Sequence, residues 1–213
     1  MPEFAQLLEG YRRFRREGYS RQKARYDHLV ADGQQPKLMI IGCSDSRVDP
    51  AQIFDVDPGE IFVVRNVAAL VPPFEDSPGQ HGVSAAIEFA VQFLKVKQIV
   101  VMGHGMCGGC KAALTREFHG NALGDGGFVS QWIHLLDGVR EPIAEKYGTD
   151  GREAEREMEL AAVRLSLENL RSFPWVRDKV KRGEIKLRGT FFAISEGVLY
   201  HLRETSGEFE AIE

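Results

Sequence analysis

The sequence predicts an α/β protein: a mostly parallel central β-sheet flanked by helices, with an antiparallel hairpin at its C-terminal edge and a helical arm at the N-terminus. Short apolar runs ending in a glycine or a polar residue, typical of buried strands, alternate with segments whose apolar residues recur every three or four positions. Such alternation of strand and helix favours parallel strand pairing. The last two apolar runs instead flank a short Ser-Glu-Gly turn, which predicts a hairpin.

The first half of the chain contains the arm and three of the strands. Residues 4–31 form an arginine-rich amphipathic stretch, predicted as helix with interruptions at Gly10 and Gly18. The apolar runs predict strands at 37–42, 60–66 and 98–104. Between them, Pro50 is expected to open a short helix, and residues 82–94 carry apolar positions at helical spacing.

The second half is predicted to be helical before it returns to the sheet. A helix is expected over 111–118, followed by three helical stretches within 128–181. The hairpin strands are then predicted at 186–194 and 198–204.

The length of 213 residues predicts a single domain over 1–213, with the arm at 1–32 and the core at 33–213. The 27 basic and 31 acidic side chains give a net charge of −4, so no nucleic-acid or anionic membrane partner is expected. No apolar run reaches the ~20 residues of a membrane span, and the N-terminus lacks the apolar stretch of a secretory signal. Three cysteines are too few for a disulfide framework, which predicts a reduced, cytoplasmic location.

Three potential metal ligands follow two of the predicted strands. Cys43 comes just after the first strand, and His104 and Cys107 end and follow the third. Side chains beyond the carboxyl ends of parallel strands converge on one crevice, and two thiolates with one imidazole suit Zn²⁺. Three ligands leave a fourth coordination position for water or for a nearby carboxylate, and an open position predicts one catalytic zinc ion per chain. The alternative is that the two cysteines are small buried residues at strand ends.

Asp45 and Arg47 follow Cys43 in the segment Cys-Ser-Asp-Ser-Arg. In an extended loop these alternate side chains point the same way, so Arg47 is expected to bind Asp45 through two hydrogen bonds and keep it ionised. A carboxylate there would accept a hydrogen bond from water on the metal. The alternative is a surface ion pair that only stabilises a turn.

Three motifs carry a resemblance to the β-class carbonic anhydrases: CSDSRV (43–48), PGEIFVVRNVAALV (58–71) and GHGMCGG (103–109). The helix and strand over 81–101 also fit that family. The resemblance implies reversible hydration of carbon dioxide to bicarbonate and a proton by a zinc-bound hydroxide. It also implies dimers that often pair again, with the active site near the subunit boundary. By this likeness Cys43, His104 and Cys107 are the zinc ligands, and Asp45 with Arg47 is the gating dyad.

Two further positions relate the chain to the form of the family whose site stays open, with water rather than aspartate on zinc. The tryptophan that accompanies the closed form is replaced by Ile40. Gln34 matches a glutamine with which the open form hydrogen-bonds substrate, often from the adjacent subunit. The resemblance therefore implies an open, type I-like site, with a substrate pocket that includes Val67, Phe89 and Gly105.

Three other interpretations remain. The same zinc site could hydrolyse carbon disulfide or carbonyl sulfide, as relatives of this fold do. A structural or regulatory zinc module would need a fourth protein ligand, either Asp45 or Cys110. The Cys107-Gly-Gly-Cys110 segment is also typical of thioredoxin-like redox sites, although that interpretation leaves Cys43 and His104 unexplained.

Overall fold

The structure is a computed structural model that describes residues 3–212. The predicted domain of residues 1–213 therefore includes three residues, 1, 2 and 213, that lie outside the described part. Within residues 3–212, the strands are β1 (Leu38–Cys43), β2 (Ile61–Asn66), β3 (Gln98–His104), β4 (Lys186–Ala193), β5 (Val198–Leu202) and β6 (Phe209–Ala211).

These strands form one sheet in the order β2-β1-β3-β4-β5-β6. The first four strands in this order are parallel to one another, β5 is antiparallel to β4, and β6 is antiparallel to β5. The predicted mostly parallel sheet with an antiparallel edge is therefore confirmed. The edge strand β6 was not predicted, because its three residues are too few to show a pattern.

The helices are α1 (Phe4–Arg13), α2 (Tyr19–Asp32), α3 (Pro50–Ile53), α4 (Gly82–Glu88), α5 (Gly108–Thr115), α6 (Gly127–Ile133), α7 (Asp137–Tyr147), α8 (Arg152–Ser172) and α9 (Pro174–Lys181). Two predictions of helix extent are wrong. The region 128–181 holds four helices rather than three, and the helix predicted from Lys111 begins at Gly108. Glycine has a low helix propensity, so a prediction from sequence alone places the start of α5 too late, after the two glycines.

Both faces of the sheet are buried, because the side chains of β1 and β3 alternate between them. Met39, Ile41 and Val101 pack on one face with α4 and α9. Ile40 and Val100 pack on the other face with α5 to α7. The near-continuous apolar runs in these strands follow from this two-sided burial.

Helix α8 approaches β3 very closely. A Cβ atom placed on Gly103 would lie 2.5 Å from Cγ2 of Val163 on α8, which is shorter than any real contact. The glycine therefore permits the close packing that brings the first half of α8 beneath the end of β3.

The N-terminal arm is helical, as predicted, but Gly10 does not interrupt it. Gly10 lies inside α1, and a π-helical turn over Phe14–Gly18 joins α1 to α2. Helix α2 contacts the core, where Nε2 of Gln22 donates to Oδ1 of Asp57 at 2.8 Å. Helix α1 buries none of its residues. Among residues 3–212, no helix is both long and apolar enough to cross a membrane.

Candidate metal centre

The structure brings Cys43, His104 and Cys107 together at the carboxyl end of the parallel sheet. Cys43 ends β1 and His104 ends β3, which pairs directly with β1, while Cys107 caps the N-terminus of α5. Their potential ligand atoms all lie within 4.8 Å of one another, and all three residues are buried. This metal-binding group results from two adjacent parallel strands ending at the same edge.

The hydrogen bond of His104 leaves one ring nitrogen for a ligand. Nδ1 lies 2.9 Å from the carbonyl oxygen of Gly105. A carbonyl only accepts hydrogen bonds, so Nδ1 carries the hydrogen and Nε2 carries a lone pair. Nε2 is buried and has no hydrogen-bond partner among the described residues. An unpartnered polar atom is costly in such a place, and a metal ion would satisfy it.

The two thiols are held protonated by their surroundings. A hydrogen bond with Cys107, and then burial, raise the pKa of Cys43 to about 12. The pKa of Cys107 is raised as well, first by a hydrogen bond with Cys110 and also by burial. Only a bound cation would make thiolates favourable here, and it would displace their protons. Two sulfurs and one imidazole nitrogen are a donor set that fits Zn²⁺.

Asp45 and Arg47 form a two-point ion pair beside the metal-binding group. Nε of Arg47 donates to Oδ1 of Asp45 at 2.9 Å, and Nη2 donates to Oδ2 at 2.6 Å. This guanidinium holds the pKa of the Asp45 carboxyl well below its usual range. Oδ2 of Asp45 also lies 4.0 Å from Nε2 of His104. An ionised acceptor therefore stands at the edge of the group.

Arg65 fixes the loop that carries this pair, and sequence reasoning gave it no such role. From β2, its Nε donates to the carbonyl oxygen of Cys43 at 2.8 Å and its Nη2 to that of Asp45 at 2.7 Å. Nη1 binds Oδ2 of Asp49 at 3.0 Å. The available signal was an arginine inside an otherwise apolar strand, because a half-buried guanidinium needs several acceptors.

Two of the residues predicted to bind substrate lie at the same end of the sheet as the metal-binding group. The amide of Gly105 donates to the carbonyl oxygen of Phe192 at 2.9 Å, which extends the pairing of β3 with β4 past His104. Val67 follows β2 and packs on the first turn of α5, where a Cβ on Gly109 would lie 2.7 Å from its Cγ1.

The other two, Gln34 and Phe89, lie elsewhere in the chain. Gln34 precedes β1 and lines a surface depression near its amino end. Phe89 packs on Phe62, with ring centroids 5.9 Å apart, and Phe62 pairs with Met39 near that same end. A six-residue strand such as β1 spans ~20 Å. Within one chain, these two residues are therefore not brought to Cys43.

Glu159 on α8 contacts the metal-binding group at Cys107, and the sequence analysis did not identify it. Its Oε1 accepts a hydrogen bond from the amide of Cys107 at 3.1 Å. No local pattern signals this contact, because the two residues are 52 positions apart.

Comparison with known proteins agrees with this architecture. The sequence profile of the carbonic anhydrase family matches residues 38–199. The chain is also 35% identical, over 205 residues, to "Beta carbonic anhydrase 6, mitochondrial" of Arabidopsis thaliana, covering 94% of this chain and 68% of that protein. The chain belongs to the β-carbonic anhydrase family. It spans about two thirds of the length of the curated family members that it matches.

Solved structures of β-carbonic anhydrases share the fold. The chain superposes on the β-carbonic anhydrase CcaA with a TM-score of 0.89 at 29% identity, covering 98% of this chain and 92% of that one. A structure from a study of two tetrameric β-carbonic anhydrases of the ascomycete Sordaria macrospora matches with a TM-score of 0.79 at 31% identity, covering 93% and 96%. Zinc is the metal of this family, and the group formed by Cys43, His104 and Cys107 is suited to bind it.

Proposed function

We propose that this protein catalyses the reversible hydration of carbon dioxide to bicarbonate and a proton. The observation that carries the proposal is the buried group of Cys43, His104 and Cys107 with the Asp45–Arg47 pair beside it. In a β-carbonic anhydrase chain, this arrangement combines a soft, three-donor metal site with an ionised acceptor at its edge.

Zinc, when held by the three side chains, supplies a Lewis acid that lowers the pKa of a water molecule toward neutrality. The protein groups supply the orientation. With zinc bound, Asp45 would accept a hydrogen bond from that water and would thereby direct an oxygen lone pair toward carbon dioxide. Arg47 keeps Asp45 ionised and fixes its rotamer, so that the carboxylate remains a hydrogen-bond acceptor.

We further propose that the site is of the open, type I-like form, with Asp45 bound to Arg47 rather than to zinc. Both carboxylate oxygens of Asp45 accept hydrogen bonds from Arg47. The guanidinium of Arg65 is already engaged with Cys43, Asp45 and Asp49. Ile40, at the position of the closed-form tryptophan, lies buried in β1.

We also propose a homodimer or homotetramer in which a neighbouring subunit completes each substrate pocket. The positions of Gln34 and Phe89, at the far end of the sheet from the metal-binding group, support this, because a second chain would have to bring them there. Helix α1 supports it too, since Phe4, Leu7 and Tyr11 remain exposed on the single chain. A family member in Sordaria macrospora is described as tetrameric.

A single catalytic domain with the arm at 1–32, and a cytoplasmic location, are also proposed. All three cysteines are free and buried, which suits a reducing compartment. Relatives from Arabidopsis thaliana are named as mitochondrial and chloroplastic, so cell fractionation with marker enzymes for each compartment is the appropriate test.

Stopped-flow hydration of carbon dioxide by purified protein of known zinc content, between pH 7 and 9, tests the proposed activity. We expect rapid turnover that rises with pH through one apparent pKa. Activity that begins steeply and only above about pH 8 would instead indicate that Asp45 closes the site at lower pH. A chain with full zinc occupancy but no hydration activity would contradict the proposal and favour hydrolysis of carbon disulfide or carbonyl sulfide.

A further inference from the structure

The peptide group between Met106 and Cys107 is held from both sides, by the guanidinium of Arg47 and the carboxyl group of Glu159. Its carbonyl oxygen accepts a hydrogen bond from Nη2 of Arg47 at 2.9 Å. Its amide donates to Oε1 of Glu159 at 3.1 Å. One peptide plane therefore links the guanidinium beside Asp45 to a carboxylate on α8. Because a peptide is planar, fixing both its oxygen and its hydrogen fixes its orientation about the chain.

This peptide needs to be held, because the residue before it is in an unfavourable conformation. Met106 has a φ of +59°, in the left-handed region that residues with a Cβ rarely adopt. Half of its side chain is exposed, so little packing holds it there. The two charge-assisted hydrogen bonds, to Arg47 and to Glu159, are the contacts that oppose relaxation of this turn.

Glu159 is placed in a way that stability alone does not explain. The residue is only 2% exposed, and its second oxygen, Oε2, is buried with no hydrogen-bond partner among the described residues. The nearest cation, Nη1 of Arg152, lies 3.6 Å from Oε1 on a side chain that is half exposed. A buried and incompletely paired carboxylate is usually costly compared with an apolar residue, so its one strong contact, the Cys107 amide, accounts for its place.

We propose that Glu159 is a positioning residue for the metal-binding group: by holding the Cys107 amide, it orients the Cys107 thiol toward Cys43 and His104. Cys107 is the N-cap residue of α5, so rotation of its preceding peptide would swing the side chain away from the end of β3. The inference rests on the metal site of the proposed function, but it concerns metal binding and not the reaction. Partners that orient first-sphere ligands in this way typically affect metal affinity.

The test compares the rate at which zinc is lost to excess chelator from the wild type, E159M and E159Q. Methionine keeps the length of the side chain but removes the acceptor, and we expect E159M to release zinc ~10–100-fold faster than wild type. Glutamine keeps an acceptor oxygen without the charge, so E159Q is expected to fall between the two. E155Q is the matched control: Glu155 lies one turn earlier on α8, binds Lys111 and Arg152, and makes no hydrogen bond to Cys107, so its release rate should equal that of wild type.

A second measurement is the absorption spectrum of the protein with cobalt in place of zinc. Its thiolate-to-cobalt bands report the geometry of the bound sulfurs. We expect these bands to shift in E159M and to stay unchanged in E155Q. Folded E159M with wild-type zinc release and wild-type cobalt bands would overturn the inference. If circular dichroism shows that E159M does not fold, E159Q decides: faster release than E155Q supports the inference, and equal release overturns it. Neither measurement uses carbon dioxide, so a failure of the proposed activity is recognised separately.

Discussion

Asp45 places its Oδ2 atom 4.0 Å from Nε2 of His104 while both of its oxygens accept hydrogen bonds from Arg47. The carboxylate is thus near the metal-binding group but turned toward the guanidinium. This separates two roles that the sequence leaves open for Asp45. As a hydrogen-bond acceptor it would act on the reaction, whereas as a fourth ligand it would act on metal binding and folding.

Replacing Asp45 by alanine should lower the rate of carbon dioxide hydration by ~10²–10⁴-fold, because the acceptor that orients water is lost. Zinc content, measured by atomic emission, should stay at the wild-type value. The control E204Q removes a surface ion pair with Arg188 and should leave both quantities unchanged. Loss of zinc and of cooperative unfolding in D45A would instead identify a structural ligand.

Replacing Cys43 by alanine should abolish stoichiometric zinc binding, because one of the three donors at the end of β1 is lost. The matched control is C110A, since Cys110 is equally buried on α5 but lies outside the metal-binding group. We expect C110A to retain zinc and hydration activity. Retained zinc in C43A would remove that residue from the ligand set, and loss of zinc in C110A would favour Cys110 as a fourth ligand.

Replacing Gly103 by alanine should lower the free energy of unfolding by ~1–3 kcal/mol, because the new methyl group would collide with Val163 and push α8 away from β3. Urea denaturation followed by circular dichroism measures this. The control is G138A on α7, where a Cβ meets nothing within 4 Å and alanine should stabilise the helix by ~0.5 kcal/mol. Equal stability of the two variants would show that the close packing of α8 is not required.

The double variant L7D with Y11D introduces charge on the exposed apolar side of α1. If this helix packs on a neighbouring subunit, the variant should reduce the molecular mass of the assembly in solution. Both side chains are more than half exposed on the single chain, so their replacement should not unfold it. Size-exclusion chromatography with light scattering reads the mass. The control R12Q and R13Q changes polar residues of the same helix and should leave the assembly intact. An unchanged mass in L7D with Y11D would contradict a role of α1 in assembly.

Strands β1 to β5 and the candidate metal ligands could be predicted from sequence, because both depend on local patterns. Strands β1 and β3 are buried on both faces, so nearly every residue is apolar, and Cys43 and His104 are the polar or reactive residues that end these runs. A parallel sheet then brings the carboxyl ends of adjacent strands together, regardless of the length or conformation of the loops. The positions of Cys43 and His104 therefore follow from the sheet topology.

Glu159 and the conformation of Met106 were not predictable, because both depend on long-range packing. The carboxylate reaches Cys107 only because Gly103 admits α8 against β3, and no single segment contains that information. The left-handed Met106 occupies a position where a local rule would place glycine. Departures of this kind concentrate where a site imposes its own geometry on the chain.

The separation of 52 positions between Cys107 and Glu159 also bears on how the protein is made. Synthesis proceeds from the N-terminus, so a nascent chain carries every metal-binding side chain before the ribosome has built α8. A polypeptide released at residue 150 would contain Cys43, His104 and Cys107 but neither the carboxylate under Cys107 nor strand β4 beside His104. Truncation late in translation thus leaves a fragment that carries all three side chains but lacks two of the contacts that position them.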